Sequence, residues 1–518
     1  MKNSAQLKAL DYVVALLSGL ALAASLPPSP FDWLAWFSLA PLFRLLENKT
    51  IGPAFRLGWI WGVAHFLALI YWIVVALGHY GNLSAITSLV PLALLVFYLA
   101  LYPALFCCMA VLFRNTTLSF VWISLAWVAL EYGRARVLTG FPWCLAGYSQ
   151  YGHHLLIQVA KLTGVYGISF IIVLVNWLCY RVLLASRRAS SQDLSIAIAL
   201  TGLCIAGTLL YGYHCLNNQP FHNSRSLKDV TVAIVQPGID QSVKWNPRFQ
   251  RQTMELYEHL SRKAAKSHPD LLVWPETATP FFFQDNKILA TKVTSLTKEF
   301  QTPLLFGSPA YKRTVDGIRY FNRAYLLRPD QKALQHYDKV HLVPFGEYVP
   351  LRRFLFFVNK LVPGAGDFQS GSRVNPLRLD DISCGVLICF EAIFPELARV
   401  QMQKGANMLV NLTNDAWFGK TSAPYQHLAM AVFRAVENSV PLIRAANTGF
   451  SAFIDASGRI QKKSGLFTKE VLIDTVQVPS AFHPTPYTRY GDIFAKGSIL
   501  ISLMALILSL LFRRRNLK

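Results

Sequence analysis

The fold of the polar half of the chain is decided by the stretch Cys384-Gly385-Val386-Leu387-Ile388-Cys389-Phe390-Glu391. The run Gly385–Cys389 is apolar on both faces of an extended chain, which is typical of a strand in a sheet covered on both sides. Cys389 ends this run, and the carboxylate Glu391 follows at once. A buried cysteine is usually inert core filler, but a thiol beside a base and a cation becomes a nucleophile.

Around this stretch, short β-rich runs alternate with helical patterns. The predicted strands are Val230–Val235, Leu271–Trp274, Pro303–Phe306, Tyr320–Leu327, Gly385–Cys389, Met408–Leu412 and Pro441–Ala446. The predicted helices are Phe249–Ser267, Lys287–Glu299, Ile393–Lys404 and Tyr425–Asn438. This alternation predicts one α/β domain over residues 216–488.

Two further patterns place chemistry-bearing residues at predicted strand ends. Glu276 follows the apolar run Leu271–Trp274, where a carboxylate is costly to bury unless it is paired or protonated. A raised pKa in such a place suits a general base. Lys339 stands between β-like residues, where it is either an exposed side chain or a fixed cation for an oxyanion. Glu347 and Glu391 are expected to orient these groups or to form surface ion pairs.

The composition of the 518-residue chain indicates a membrane protein. Hydrophobic residues make up 53% of it and charged residues 15%, so the chain is too apolar to be disordered. Eight cysteines are too few for a disulfide scaffold of this length. The net charge of +22 would suit nucleic acid, but no helix-turn-helix, zinc-finger or RNP pattern is present. We therefore expect no nucleic-acid partner and basic residues that lie along anionic lipid.

Eight apolar stretches are candidates for membrane-spanning helices, which need roughly 20 residues. They are Leu10–Leu26, Trp33–Leu46, Leu57–Leu77, Ile86–Phe113, Leu118–Leu130, Val165–Ala185, Leu194–Tyr213 and Gly497–Phe512. If the basic connections between them are cytoplasmic, both termini lie inside and residues 216–488 lie outside the cytoplasm. The sequence thus predicts a seven-helix region over residues 1–215 and a last helix with a basic tail over residues 489–518. The first stretch could instead be a cleaved signal, although its removal would break this alternation of charge.

The loop after the fifth stretch carries basic and aromatic residues on the predicted outer side. Arg134, Arg136 and Lys161 lie near Phe141 and Trp143. These cations either snorkel beside interfacial aromatic rings or bind phosphate head groups. Within the helices themselves, the polar residues His65 and Asn176 mark either a transport path or interhelical hydrogen bonds.

Taken together, Glu276, Lys339 and Cys389 closely resemble the catalytic residues of the carbon–nitrogen hydrolase (nitrilase) superfamily. The resemblance covers residues 230–475 and includes Asn411–Phe418 and Arg444–Gly449. It implies a four-layer α-β-β-α sandwich with Glu276 as base, Lys339 as oxyanion stabiliser and Cys389 as nucleophile. It implies no metal and no organic cofactor.

The whole chain resembles one membrane-bound branch of that superfamily, the apolipoprotein N-acyltransferases of bacterial inner membranes. The matching motifs are Gly140-Phe141-Pro142-Trp143, Tyr148-Ser149-Gln150, Gln236-Pro237 with Trp245, and Pro344–Pro350. The resemblance implies a monomer whose catalytic domain faces the periplasm. It also implies acyl transfer from a phospholipid, typically phosphatidylethanolamine, to the α-amino group of a diacylglyceryl-cysteine on an apolipoprotein. The acyl group would pass through a thioester on Cys389.

Within this branch, Phe390 is a departure, since some relatives are expected to have tyrosine there, and a hydroxyl beside the nucleophile is therefore in doubt. Trp245, Phe141, Trp143 and Phe354–Val358 are candidate walls of a lipid-binding cavity, with ordinary packing as the alternative for each. Two other functions stay open. One is a membrane-tethered amidase or nitrilase acting on a small molecule, and the other is a transporter or scaffold whose nitrilase-like domain only binds.

Overall fold

The computed structural model describes residues 7–80, 84–185, 191–217, 227–315, 317–330, 334–349, 367–480 and 483–515. The chain forms two compact units. The first, the helical unit, comprises Met1–Ile73, Ala85–Asn218 and Tyr490–Lys518. The second, the α/β unit, comprises Val74–Ser84 and Gln219–Arg489. The predicted wall segment Phe354–Val358 lies outside the described residues.

The α-helices are numbered in chain order. They are α1 (Ala9–Ala24), α2 (Ala40–Leu46), α3 (Ile51–Ile70), α4 (Ile73–Val75), α5 (Ala85–Phe113), α6 (Ser119–Arg134), α7 (His154–Ile157), α8 (Ala160–Thr163), α9 (Tyr166–Cys179), α10 (Ser191–Asn217), α11 (Gln241–Lys244), α12 (Gln250–Ala265), α13 (Lys287–Phe300), α14 (Pro395–Gln403), α15 (Ala423–Asn438), α16 (Pro486–Tyr490) and α17 (Ile493–Arg515). Among the described residues, four helical spans are long and apolar enough to cross a membrane, namely Ile51–Ile70, Ile86–Phe113, Tyr166–Leu184 and Asp193–Asn217.

The second predicted membrane stretch, Trp33–Leu46, is not one helix. It forms a short 3-10 turn over Asp32–Trp36 and then the seven-residue helix α2. Pro41 lies at the start of α2, where its missing N–H is tolerated, whereas within a continuous helix it would remove a hydrogen bond. The prediction of a single spanning helix here was wrong, because it counted apolar residues without weighing this proline.

Small and polar residues hold the helical unit together. A Cβ atom at Gly58 would lie 2.5 Å from the carbonyl oxygen of Pro103, so α3 and α5 approach closely only because residue 58 is glycine. Asn176 accepts a hydrogen bond from Leu39 N at 2.7 Å and donates one to Ala35 O at 2.7 Å. Of the two interpretations of Asn176, the structure thus supports hydrogen bonding between segments.

The strands of the α/β unit form two six-stranded sheets. They are β1 (Leu227–Gln236), β2 (Leu271–Val273), β3 (Leu304–Thr314), β4 (Gly317–Leu327), β5 (Gln335–Asp338), β6 (Leu377–Leu379), β7 (Ile382–Ile388), β8 (Met408–Thr413), β9 (Leu442–Ala446), β10 (Ala452–Ile454), β11 (Ile460–Lys463) and β12 (Glu470–Pro479). The first sheet has the order β12-β1-β2-β3-β4-β5 and the second the order β11-β10-β9-β8-β7-β6. Parallel pairing of β1 with β2, of β7 with β8 and of β8 with β9 brings the carboxyl ends of these strands to a common edge within each sheet.

Alternate residues of β1, in the first sheet, pack into two different hydrophobic cores. Val232 and Ile234 of β1 belong to a cluster that also contains Val386 and Val410 of the second sheet. The alternate residues Ala233 and Val235 belong to another cluster, which the first sheet shares with α12 and α13. Both faces of β1 are therefore covered over residues 232–235, which explains why this part of the predicted strand is apolar.

All seven predicted strands and all four predicted helices of this region are present, with small shifts at most of their ends, but the strand predicted over Pro303–Phe306 extends to Thr314. The strands β5, β6, β10, β11 and β12 were not predicted. Most of them carry the antiparallel pairings at the outer parts of the sheets.

Candidate active site

Glu276 lies in the turn that follows β2, and it is buried, with 7% of its surface exposed. Thr277 adopts a φ of +45°, so the chain turns sharply directly after Glu276. Gly307 of β3 packs against this turn, since a Cβ atom there would lie 2.5 Å from Thr277 N. The side chain of Asn322 donates a hydrogen bond to Glu276 Oε1 at 2.8 Å.

Lys339 follows β5, and its backbone N–H donates to Asn322 O at 2.8 Å. Its buried ammonium nitrogen lies 2.9 Å from Glu347 Oε2 and 3.8 Å from Glu276 Oε1. The same Asn322 amide also donates to Glu347 Oε1 at 2.9 Å. Two carboxylates therefore share one ammonium and one amide, and the orienting role of Glu347 stays a prediction.

Cys389 stands directly after β7, at the first position of a 3-10 turn over Cys389–Ile393. Its φ is +52°, a conformation that a residue with a side chain adopts only when its surroundings hold it there. The carbonyl oxygen of Cys389 lies 3.2 Å from His427 Nε2 and 3.4 Å from Asn411 Nδ2. The thiol is thus displayed at a sharp strand-to-turn junction, with 8% of the residue exposed.

A buried polar network supports this junction. His427 Nδ1 lies 3.1 Å from Asp415 Oδ1, and Arg444 Nη2 donates to Asp415 Oδ2 at 2.7 Å. Arg444 also donates to the side-chain oxygen of Asn411. Asp415 and Arg444 lie in the motifs Asn411–Phe418 and Arg444–Gly449, to which no role is assigned from the sequence, and His427 is not among the predicted site residues. The available signal was the presence of charged or polar residues inside apolar runs, such as Arg444 within β9.

Glu391 connects the segment that carries Lys339 with the segment that carries Cys389. Its carboxylate accepts hydrogen bonds from Tyr337 Oη at 2.9 Å, from Val340 N at 2.7 Å and from His341 N at 3.1 Å. Its other oxygen accepts from Ile388 N at 2.7 Å. Glu391 is fully buried, so it does not form the surface ion pair that was the alternative.

Phe390, between the nucleophile and Glu391, packs its ring 5.2 Å from that of Phe394 and 6.0 Å from that of His341. The ring is buried in an aromatic group. A phenylalanine therefore fits here through packing, with no hydroxyl to place.

Burial dominates the electrostatics of the predicted triad. It raises the pKa of the Cys389 thiol to about 12, with the Glu276 carboxylate adding to the increase and Lys339 opposing it. Burial also raises the pKa of Glu276, against the effect of the Lys339 ammonium. For Lys339, burial opposes the charge, but the Glu347 and Glu276 carboxylates raise its pKa above the usual value. The resting site therefore holds a neutral thiol and an ammonium, and Glu276 is a stronger base than a free carboxylate.

The three candidate wall residues belong to different units. Trp245 of the α/β unit is half-buried and lines a cavity of about 410 Å³ with Pro280, Phe281 and Phe282. Its indole nitrogen is buried and has no hydrogen-bond partner among the described residues. In the helical unit, the rings of Phe141 and Trp143 are stacked 6.2 Å apart, and Trp143 is completely buried against Trp72.

The basic residues beside these rings do not all extend toward a surface. Arg134 is buried, donates to Trp143 O at 3.1 Å and lies over the ring of Phe66. Arg136 forms an ion pair with Asp492 at 3.0 Å. Snorkelling is therefore the wrong description of Arg134, which instead fixes the loop that contains Trp143.

In the described parts of the chain, no three His, Cys, Asp or Glu side chains are grouped closely enough to hold a metal ion. The chemistry available at the described site is that of a thiol, two carboxylates and an ammonium. A thiol with a base and a fixed cation can attack a carbonyl carbon and stabilise the resulting oxyanion.

Known protein families match the sequence of both the α/β unit and the helical unit. The sequence profile of the carbon–nitrogen hydrolase family matches residues 231–481, and that of the apolipoprotein N-acyltransferase N-terminal domain matches residues 18–178. The chain is 44% identical to the apolipoprotein N-acyltransferase of Geobacter metallireducens over 98% of its own length and 96% of that protein. It is 31% identical to the protein of the same name from Haemophilus influenzae, over 98% and 97% of the two chains.

Among solved structures, a carbon–nitrogen hydrolase from Helicobacter pylori is similar, with 19% identity and a TM-score of 0.37, over 48% of this chain and 89% of that one. The family-profile match over residues 231–481 and the two observed sheets give the α/β unit the nitrilase-like carbon–nitrogen hydrolase fold, and the chain also has a region of several apolar helices. On the evidence of the full-length matches, the chain belongs to the apolipoprotein N-acyltransferase family.

Proposed function

We propose that this protein transfers a fatty acyl chain from a membrane phospholipid to the α-amino group of the N-terminal diacylglyceryl-cysteine of apolipoproteins, which completes their maturation. The observation that carries the proposal is the buried group formed by Glu276, Lys339 and Cys389. Lys339 and Glu276 lie 3.8 Å apart, and the charges of both act on the Cys389 thiol. The names of the full-length relatives give the class of acyl acceptor.

In the first half-reaction, Cys389 Sγ attacks the ester carbonyl carbon of the phospholipid while the Glu276 carboxylate takes the thiol proton. The Lys339 ammonium and the backbone N–H of Phe390 stabilise the oxyanion. The carbon–oxygen bond then breaks, Glu276 returns the proton to the departing oxygen, and lysophospholipid leaves. The raised pKa of Glu276 supports both the acceptance and the return of this proton.

In the second half-reaction, the free α-amino group of the lipoprotein attacks the thioester carbonyl. Glu276 takes a proton from the attacking nitrogen, the carbon–sulfur bond breaks, and the thiolate receives that proton. The products are an amide on the lipoprotein and a neutral Cys389 thiol. Because a covalent acyl-enzyme separates the two steps, ping-pong kinetics should follow.

The membrane setting explains why a hydrolase-like domain is joined to apolar helices. Both substrates carry acyl tails, and a water-poor site protects the thioester from hydrolysis. We infer eight membrane crossings, the second made by the 3-10 turn over Asp32–Trp36 together with α2 rather than by one helix, with both termini cytoplasmic and residues 216–488 periplasmic in the bacterial inner membrane. A monomer with a four-layer α-β-β-α domain and phosphatidylethanolamine as the usual donor complete the proposal. The core shared by the two sheets and the helices that pack against the first sheet support this layering.

The test is the mass of the Cys389 peptide after the purified protein is incubated with labelled phosphatidylethanolamine vesicles. We expect an adduct one fatty acyl chain heavier, together with released lysophospholipid. The adduct should be absent in Cys389→Ser and present in Cys108→Ser, which removes a half-buried thiol of the helical unit. An unmodified Cys389 peptide, with turnover of small amides instead, would favour a membrane-tethered amidase.

A further inference from the structure

A second lysine, Lys244, is buried beside the predicted base. It ends the short helix α11, and 2% of its surface is exposed. Its ammonium nitrogen donates a hydrogen bond to the backbone carbonyl oxygen of Glu276 at 3.2 Å. Among the residues that the structure describes, no carboxylate forms an ion pair with it. A buried ammonium held only by a neutral carbonyl is costly unless its charge acts on nearby groups.

The position of Lys244 is fixed by a chain of side-chain amides. Gln241, in the same short helix, accepts a hydrogen bond from Asn414 at 2.7 Å, and Asn414 in turn accepts one from Asn447 at 2.9 Å. Asn447 also donates to Ile239 O at 2.8 Å and accepts from Ile239 N at 3.0 Å. The segment between β1 and α12 is thereby tied to the ends of β8 and β9, within the same unit as Cys389.

The charges around Glu276 show what this second ammonium adds. Glu276 and Glu347 are both buried, and Lys339 lies closer to Glu347, at 2.9 Å against 3.8 Å. The single positive charge of Lys339 cannot balance two carboxylates, and it stabilises the more distant Glu276 carboxylate less than that of Glu347. Lys244 lowers the pKa of Glu276 through its charge, and the Glu276 and Cys389 charges act in turn on Lys244, whose own pKa burial lowers to about 8.

The same lysine also secures the backbone of the base. The carbonyl that it binds belongs to the peptide between Glu276 and Thr277, where φ of Thr277 is +45°. Such a conformation persists only when the surroundings hold it in place. Gly307 closes this turn from one side, and Lys244 anchors its carbonyl.

We propose that Lys244 is a positioning residue of the acyl-transfer reaction, which anchors the peptide that carries Glu276 and supplies the second positive charge that keeps the Glu276 carboxylate ionised. The inference rests on the proposed function for the role of Glu276 as base. The charged groups that act on Glu276 or on Cys389 are Lys244 of α11, Lys339 and Glu347 after β5, and Asp415 after β8, whereas Glu391 after β7 interacts with Lys339.

The test compares two variants of the full-length protein. Lys244→Gln keeps a hydrogen-bond donor near the Glu276 carbonyl but removes the charge, whereas Lys244→Arg keeps the charge. Lys263→Met, at an exposed position of α12, is the control for loss of a lysine. The rate of Cys389 acylation by phosphatidylethanolamine vesicles is measured against pH, and thermal unfolding shows that each variant is folded.

The acylation rate should fall at low pH as Glu276 becomes protonated, and the midpoint of this acid limb is the pH at which the rate is half-maximal. For Lys244→Gln, we expect this midpoint to move to higher pH by about one unit, which corresponds to about a tenfold change in the ionisation equilibrium of Glu276. Lys244→Arg and Lys263→Met should keep the midpoint of the unaltered protein. A folded Lys244→Gln with an unchanged midpoint overturns the proposal even if its maximal rate falls, because a purely structural lysine would lower the rate alone. If Lys244→Gln does not fold, a displaced midpoint in folded Lys244→Arg overturns it.

A second measurement separates this inference from the proposed function. Alkylation of Cys389 by iodoacetamide needs no acyl donor, yet it still requires a base that removes the thiol proton. If no acyl adduct forms but alkylation shows the displaced midpoint in Lys244→Gln, the proposed function fails and the role of Lys244 stands. If adducts form in every variant with one common midpoint, the role of Lys244 fails and the proposed function stands.

Discussion

The Nε2 atom of His427 lies 3.2 Å from the backbone carbonyl oxygen of Cys389. Cys389 has a φ of +52°, and a non-glycine residue in such a conformation costs of order 1–3 kcal/mol. The carbonyl contacts from His427 and Asn411 offset part of that cost. His427 of α15 therefore helps to hold the backbone conformation of Cys389.

His427→Gln should lower the rate of Cys389 acylation by about 10- to 100-fold, because small displacements of a reacting group are costly. The protein should remain folded, since the Asp415–Arg444 ion pair stays in place. The measurement is the initial rate of adduct formation, with His259→Gln, at an exposed position of α12, as the control. A His427→Gln variant that acylates at the normal rate would show that the carbonyl contact is dispensable.

The acid limb of the pH profile should report Glu276. Only the ionised carboxylate accepts the thiol proton, and burial raises its pKa above the usual 4.5. The acylation rate should therefore be maximal at pH values well above the raised pKa of Glu276 and should fall as the pH falls through that pKa. Glu276→Gln should lose about 100-fold or more in rate and should lose this limb. Glu255→Gln, on the exposed side of α12, should change neither, and an intact limb in Glu276→Gln would assign the base to another residue.

Glu391→Gln should destabilise the protein, because an amide N–H would then face the N–H donors that now point at the carboxylate. An unsatisfied buried donor costs about 1–3 kcal/mol. Tyr337→Phe is the matched variant, since it removes one donor and leaves the three backbone N–H groups bound to Glu391. Chemical denaturation should show the larger loss for Glu391→Gln. Equal losses in the two variants would mean that the backbone contacts contribute little.

Gly307→Ala should displace the Glu276 turn. The added Cβ atom would lie 2.5 Å from Thr277 N and 2.8 Å from Glu276 Cα, and overpacking of this kind costs about 1–3 kcal/mol. We expect a lower unfolding temperature and slower acylation of Cys389. Gly152→Ala, where no atom lies within 4 Å of the added Cβ, should leave both unchanged. If Gly307→Ala is destabilised but acylates Cys389 at the normal rate, the added Cβ atom does not displace Glu276, and the prediction is wrong.

Local sequence patterns predicted the central strands and their helices because both kinds of element are bounded by proline, glycine or polar residues. They did not predict β12, whose pairing with β1 joins Leu227 to Pro479 across most of the α/β unit. Pairing between strands so far apart in sequence cannot be recognised from the residues of either strand alone. The prediction of a continuous helix over Trp33–Leu46 was wrong for a different reason, because it relied on apolar composition and did not consider Pro41.

At the site, residue type and position at strand ends predicted which side chains would meet, and Glu276 and Lys339 do lie together. Their catalytic roles stay predictions. His427, Lys244 and Asn322 were missed because each comes from an element that is ordinary in sequence, and only the tertiary fold brings it to the base or to the nucleophile.

The buried, protonated state of Cys389 bears on its chemical lifetime. The thiolate attacks peroxides and disulfides, and the rate of these reactions follows its population and its access to solvent. A thiol with a pKa of about 12 and 8% exposure offers little of either at neutral pH. We therefore expect Cys389 to be oxidised slowly at neutral pH and, in the proposed mechanism, to become reactive only while Glu276 takes its proton.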